Sequence, residues 1–181
     1  MAAIVSGEIL FKYSVVAAAG NTTASAAGTS LGDQISTTAW AGSVANDLFD
    51  DISGAENAAS TVDYRCIFVH NSNASNTLEN AVVYLSAETA GGAAIAVAVD
   101  GTAASAIASG STQAATIANE LAAPTGTGGF SSPTTVGTGL SLGNIPEGQC
   151  KAFWIRRTAS NSAALSNDGV TIAVAGDTGS L

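Results

Sequence analysis

Residues 150–157, CKAFWIRR, alternate in a way that only an extended chain accommodates. Cys150, Ala152 and Trp154 fall on one side, and Lys151, Phe153, Ile155 and Arg157 on the other, because successive side chains of a strand point to opposite faces. Both sides carry an aromatic ring, so the strand needs cover on both faces and belongs at the centre of a sheet. Outward from it, residues 169–175 (GVTIAVA) place Val170, Ile172 and Val174 inward as a final strand. On the other side, residues 122–149 hold all three prolines and many glycines, with turn chemistry at Pro124-Thr125-Gly126 and Pro146-Glu147-Gly148. They read as loop, with a short strand near Leu140 to Leu142.

Further strands are expected at residues 8–16 (EILFKYSVV), 64–70 (YRCIFVH), 81–86 (AVVYLS) and 93–100 (AAIAVAVD), each short and rich in β-branched or aromatic residues. Residues 101–120 admit a short helix as easily as a strand. Residues 17–46 contain few large apolar side chains among many Gly, Ser and Thr, which opposes a helix and leaves a long extended segment. Six to eight short strands predict an all-β fold, an antiparallel β-sandwich or jelly roll. The expected division is an extended N-terminal arm with the first strand over residues 1–46, then a β-sandwich domain over residues 47–181. Trp154, Phe153, Ile155, Ile67, Val69, Val83, Leu85, Val170 and Ile172 are the expected core.

Composition narrows the function classes. The chain has 181 residues, 46% of them apolar, but 37 are alanine, so the core is modest. Charged residues make up only 10%, with five Lys and Arg against 14 Asp and Glu, a net charge of -9. Tracking nucleic-acid phosphates requires clustered cations, so no nucleic-acid partner is expected. No apolar run has the length of a membrane span and no basic amphipathic stretch suits a membrane surface, so no membrane partner is expected either. The first twenty residues resemble a leader only superficially, since Glu8 precedes any basic residue and Lys12 interrupts the apolar run; no export signal is expected. Cys66 and Cys150 could bond if their strands are neighbours, but two reduced, half-buried thiols are the commoner outcome.

Reaction chemistry finds little material. His70 is the sole histidine, ends a strand and reads as an exposed imidazole with no acid to orient it. Cys66, Cys150 and His70 are too few and too scattered for zinc. The acidic turn with Asp47, Asp50, Asp51 and Glu56 fails the spacing of a calcium loop and reads as solvated. The glycines at 91–92 and 126–129 match no phosphate-binding motif. No catalytic residue, metal or cofactor is expected; the chain reads as non-enzymatic. A weakly charged surface loses little by desolvation when a neighbour covers it, which suits a structural module. Residues Glu8 to Val16 could add a strand to a neighbour's sheet, with backbone hydrogen bonds supplying adhesion. The candidate partner-binding residues are Ile9, Phe11, Tyr13 and Val15 of that strand, Trp40 beyond it, and Asp50, Asp51, Arg156 and Arg157. The two arginines are equally suited to an internal ion pair with Asp50 or Asp51 and to a partner's carboxylates.

Residues 48–66 (LFDDISGAENAASTVDYRC) and 144–158 (NIPEGQCKAFWIRRT), with the closing Ala175-Gly176-Asp177-Thr178, resemble a group of small structural proteins of tailed bacteriophages and prophages. The resemblance spans most of residues 46–178 and departs at 101–119, an Ala/Ser/Thr-rich insertion. It implies a capsid decoration or cement protein with a β-sandwich fold, assembled in the bacterial host cytoplasm and located on the capsid exterior of the virion. There it would bind the major capsid protein and stabilise contacts between its subunits. Self-association, a trimer above all, is implied too. A tail or baseplate component is the first alternative, and a carbohydrate-binding β-sandwich for host attachment the second.

Overall fold

A computed structural model describes residues 3–16, 21–42, 44–108, 110–165 and 167–179. The fold is all-β, with antiparallel sheets curled into a half-barrel in a sandwich-like arrangement. In chain order the strands are β1 (Ile9–Val15), β2 (Gly32–Ala39), β3 (Val62–Asn71), β4 (Leu78–Glu88), β5 (Ala94–Val99), β6 (Ser105–Ala106), β7 (Ala114–Thr116), β8 (Leu140–Ile145), β9 (Gln149–Thr158) and β10 (Val170–Thr178). One sheet has the order β5-β9-β3-β1-β2-β7, with β6 also pairing β9, and the other is β10-β4-β8. One short helix, α1 (Gly54–Ala59), precedes β3. Its N-terminus is a capping box: the Ser53 hydroxyl accepts from the Glu56 amide at 3.3 Å, and the Glu56 carboxylate accepts from the Ser53 amide at 2.7 Å.

Strand β9 is central, as its two-sided pattern requires. Phe153 and Ile155 join Ile67 and Val69 of β3, Val97 of β5, and Val83, Leu85, Leu142 and Ile145 of the smaller sheet in one apolar core. On the opposite face Trp154, Ala152 and Cys150 pack with Cys66, Phe68 and Ile35, beneath Ala114, Ile117 and Phe130. Thus a second sheet covers one face of the larger sheet and irregular chain covers the other. Every expected core residue lies in these clusters, Val170 and Ile172 at the margin.

The N-terminal segment needs a correction. Strand β1 pairs β3 from Ile9↔Asn71 to Tyr13↔Ile67 on one side and β2 on the other. Residues 9–15 are therefore interior to the large sheet, and the described part of residues 1–46 is no arm separate from a sandwich at 47–181. Residues 1–2 and 17–20 of the stretch weighed as a leader lie outside the described residues. Strand β2 has one large apolar residue, Ile35, and its place is set by its neighbours. Gly32 sits at φ 100°, and a Cβ there would fall 1.8 Å from the Ala115 carbonyl oxygen, so only glycine lets β2 and β7 meet. Residues 101–120 supply the short strands β6 and β7.

Two polar side chains organise the loop-covered face. Asp100 Oδ2 accepts from Trp154 Nε1 and the Ala115 amide, both at 2.9 Å, and Oδ1 accepts from the Thr102 amide at 2.9 Å. Gln113 Oε1 accepts from the Ile35 amide at 3.0 Å while Nε2 donates to Ser105 Oγ, the Ala106 carbonyl and Cys150 Sγ. These two side chains fasten residues 100–116 to the sheet by saturating backbone groups that would otherwise be buried unpaired.

Candidate functional site

A cleft of about 640 Å³ lies between residues 40–57, the turn at 91–93 and the loop at 160–165 and 167–170. Its wall is built from the core outward. The Tyr13 hydroxyl, rising from β1, is hydrogen-bonded to the Asp47 carboxylate at 2.6 Å and lies against the Asp47 carbonyl. Burial, reinforced by Asp47, pushes the Tyr13 phenol well above its usual pKa. The other Asp47 oxygen accepts from the Gly42 amide at 2.7 Å. Phe49 is then held between two guanidinium groups, Arg157 at 4.7 Å and Arg65 at 5.4 Å from its ring centre.

Arg157 Nε and Nη2 donate to Asp63 Oδ2 at 3.0 and 2.6 Å, and Nη2 also reaches Asp50 Oδ1 at 3.2 Å. Its Nη1 donates to the Asp50 carbonyl. The two carboxylates differ in worth. The Asp63 side chain is 6% exposed, so its charge-assisted bonds act in a poorly screened setting; that of Asp50 is 72% exposed, where solvent weakens the pairing. Arg157 thus anchors the acidic turn to the sheet.

The other cations also face internal groups, though less completely: Nε of Arg65 and of Arg156 is buried without a hydrogen-bond partner. Arg65 pairs with Glu120, Lys12 Nζ donates to Asn21 Oδ1 at 3.1 Å, and Lys151 Nζ donates to the carbonyls of Asp100 and Thr102. Arg156 stacks over Phe130 at 5.2 Å. All five basic side chains of the chain are turned to internal partners. The charge left to solvent is acidic, on a surface otherwise of neutral residues that include exposed Val44, Leu121, Val136 and Leu165.

Of the candidate partner-binding residues, Trp40, Asp50, Asp51 and Arg157 line the cleft together. Asp51 is exposed there. Phe11 lies beneath Trp40, their rings edge to face at 5.8 Å, and its other neighbour is Phe153. Ile9 and Phe11 pack on the main core and Tyr13 is part of it, while Val15 is half-buried at the strand end. Strand β1 is no edge strand, because β3 pairs it over Ile9 to Tyr13 and β2 over Lys12 to Val15. Arg156 lies on the other face, away from the cleft. The pair read as adjacent thus splits, Arg157 to the acidic turn and Arg156 to an aromatic stack. Sequence reasoning missed Phe49, Asp63 and Asp100. A lone aspartate in the apolar strand TVDYRC signals a buried partner, and Asp63 stands opposite Arg157 in the β3–β9 register.

His70 corrects a second expectation: it is buried at 6% exposure, on the face shared with Cys150, its cross-strand partner. Burial, then the nearby Lys12 charge, lowers its pKa to about 4, and its Nδ1 has no hydrogen-bond partner. Burial also pushes the Cys150 thiol up to about 12 and Cys66 well above its usual range. At neutral pH these are a neutral imidazole and two protonated thiols, and a protonated thiol is not a nucleophile. Cys66 stands opposite Trp154, four residues from Cys150, or about 13 Å along the strand, too far for a disulfide; both are free. Among the described residues no three His, Cys, Asp or Glu side chains converge to hold a metal ion, and no helix is long and apolar enough to cross a membrane. Trp154 is fully buried and Phe49 is clamped, so neither contributes a flat aromatic platform for sugars.

Compared with known proteins, the chain matches no family model, and no curated protein or solved structure is significantly similar to it.

Proposed function

We propose that this chain is a non-enzymatic structural subunit of a phage virion, a decoration or cement protein that covers the outer surface of an assembled capsid and braces contacts between major capsid protein subunits. The observation that carries the reading is the internal use of every basic side chain, which leaves an acidic, sparsely charged exterior. Such a surface disfavours nucleic acid, whose phosphates need exposed cations, and loses little on being covered by protein. The resemblance at residues 48–66 and 144–158 supplies the virion context.

Binding that recognises only the assembled lattice stabilises that lattice by mass action. The cleft wall around Trp40, Asp50 and Asp51 is the contact region in this reading, with exposed Val44 and Leu165 at its rim. The test is to add the purified chain to capsids that lack it. Saturable decoration seen by electron microscopy, with a higher temperature of capsid rupture, is the expected result. Purified virions free of the chain would overturn the proposal, and density on the tail would move it to the tail or baseplate.

A further inference from the structure

Among the described residues the two sheets have four edges; two are covered and one is broken. The β5 edge is covered by residues 126–132: the Val97 amide donates to the Ser131 carbonyl at 2.8 Å, the Ser131 amide to the Val97 carbonyl at 3.0 Å, and the Gly128 amide to the Val99 carbonyl at 3.0 Å. At the opposite edge, β2 is capped by β7 and by residues 21–23, where the Asn21 amide donates to the Ile35 carbonyl and the Thr37 amide to the Thr23 carbonyl, both at 2.9 Å. In the smaller sheet, β8 is broken by Gly143 at φ 75°, whose amide is taken by the Ser141 hydroxyl. Covering and breaking edges in this way prevents unwanted pairing.

Strand β10 is different. It is nine residues long and pairs only β4; among the described residues no further backbone–backbone hydrogen bond joins Val170–Thr178, and at its end the Ile4 amide donates to Thr178 Oγ1 at 3.1 Å. From Val170 to Gly176 it carries no charge and no proline. Its register with β4 shifts near each end, leaving Ile172 to Ala175 regular in the middle. Ile172 and Val174 touch the main core yet stay half-exposed, because the sheet stops there.

We propose that β10 pairs with β10 of a second copy of this chain, antiparallel about a twofold axis near Ala173. A pair centred on Ala173 sets Asp177 of each copy opposite Gly169 of the other and Asp168 opposite Thr178, so no two carboxylates stand directly opposite although each copy carries a charge of -9, and Asp168 is itself tied to the Ala93 amide. Ile172 and Val174 of the two copies extend a common core, and the two small sheets become one of six strands. The twofold pair takes the place of the threefold association implied by the resemblance, and it is independent of the capsid reading.

Native mass spectrometry across a concentration series tests it. The wild type gives the mass of two chains, and Ala173→Lys, which sets a charge on the outer face of the edge, gives the mass of one with an unchanged circular dichroism spectrum. As a second measurement, Ala173→Cys under mild oxidation gives a covalent dimer, whereas Leu121→Cys, exposed in the loops over the other sheet, does not. Since Cys66 and Cys150 are buried, the introduced thiol is the one that reacts. A wild type of single-chain mass at every concentration, or an Ala173→Cys chain that fails to cross-link, overturns the proposal.

Discussion

The two faces of β9 are covered by different means. Toward β4, β8 and β10 the cover is a regular sheet, and the contacts of Phe153 and Ile155 are those of an apolar sandwich. Toward Trp154 and Cys150 the cover is loop and two- or three-residue strands, fastened by Asp100 and Gln113. A regular layer satisfies its own backbone through its ladder, so packing suffices; an irregular layer leaves amides and carbonyls that side chains must satisfy. The same sheet is therefore held mainly by apolar packing on one side, with the Arg157–Asp63 pair at its margin, and by side-chain hydrogen bonds to the loops on the other.

The contrast can be broken from either side. Phe153→Ala leaves a large void between the sheets and is expected to destabilise the fold by about 4 kcal/mol, read from urea unfolding. Asp100→Asn keeps the shape but removes charge-assisted bonds from Trp154 Nε1 and the Ala115 amide, for about 3 kcal/mol. Hydrogen exchange should then quicken in residues 100–116 before it does in β4. A Phe153→Ala loss no larger than that of a surface substitution, or uniform exchange in Asp100→Asn, would erase the distinction.

Acid probes the loop-covered side through His70. His70 has a folded pKa near 4 against 6.5 when unfolded, so the unfolded chain takes up the proton first as pH falls. Stability is complete above about pH 6.5 and drains away toward pH 4, with a loss near 2 kcal/mol at pH 5. His70→Gln should flatten that part of the pH profile; an identical profile in both proteins would place the titration elsewhere. The smallest effect belongs to neither face: Ser53→Ala removes the cap of α1 and is expected to lower stability by about 1 kcal/mol or less, checked by thermal melting.

The double-sided strand was legible because Phe153 and Ile155 alternate with Cys150, Ala152 and Trp154 within eight residues. Strand β2 was not, since GDQISTTA owes its position to Gln113, β1 and residues 21–23 rather than to its own pattern. Helix α1 is too short for periodicity, though Ser53-Gly54-Ala55-Glu56 is a capping-box sequence that marks its start. The reading of β1 as an adhesive arm failed because alternation shows that a segment is a strand, not how many of its edges are used. Of the cleft, the acidic turn and Arg157 could be anticipated by charge. Phe49 between two guanidiniums could not, because that contact joins three distant parts of the chain.

The four-residue offset between Cys66 and Cys150, sealed on the loop-covered side, makes the molecule indifferent to redox potential. A reducing medium has no bridge to cut and an oxidising one has no reachable sulfur to join. The same covalent object would persist on passing from one to the other, its durability resting on non-covalent contacts.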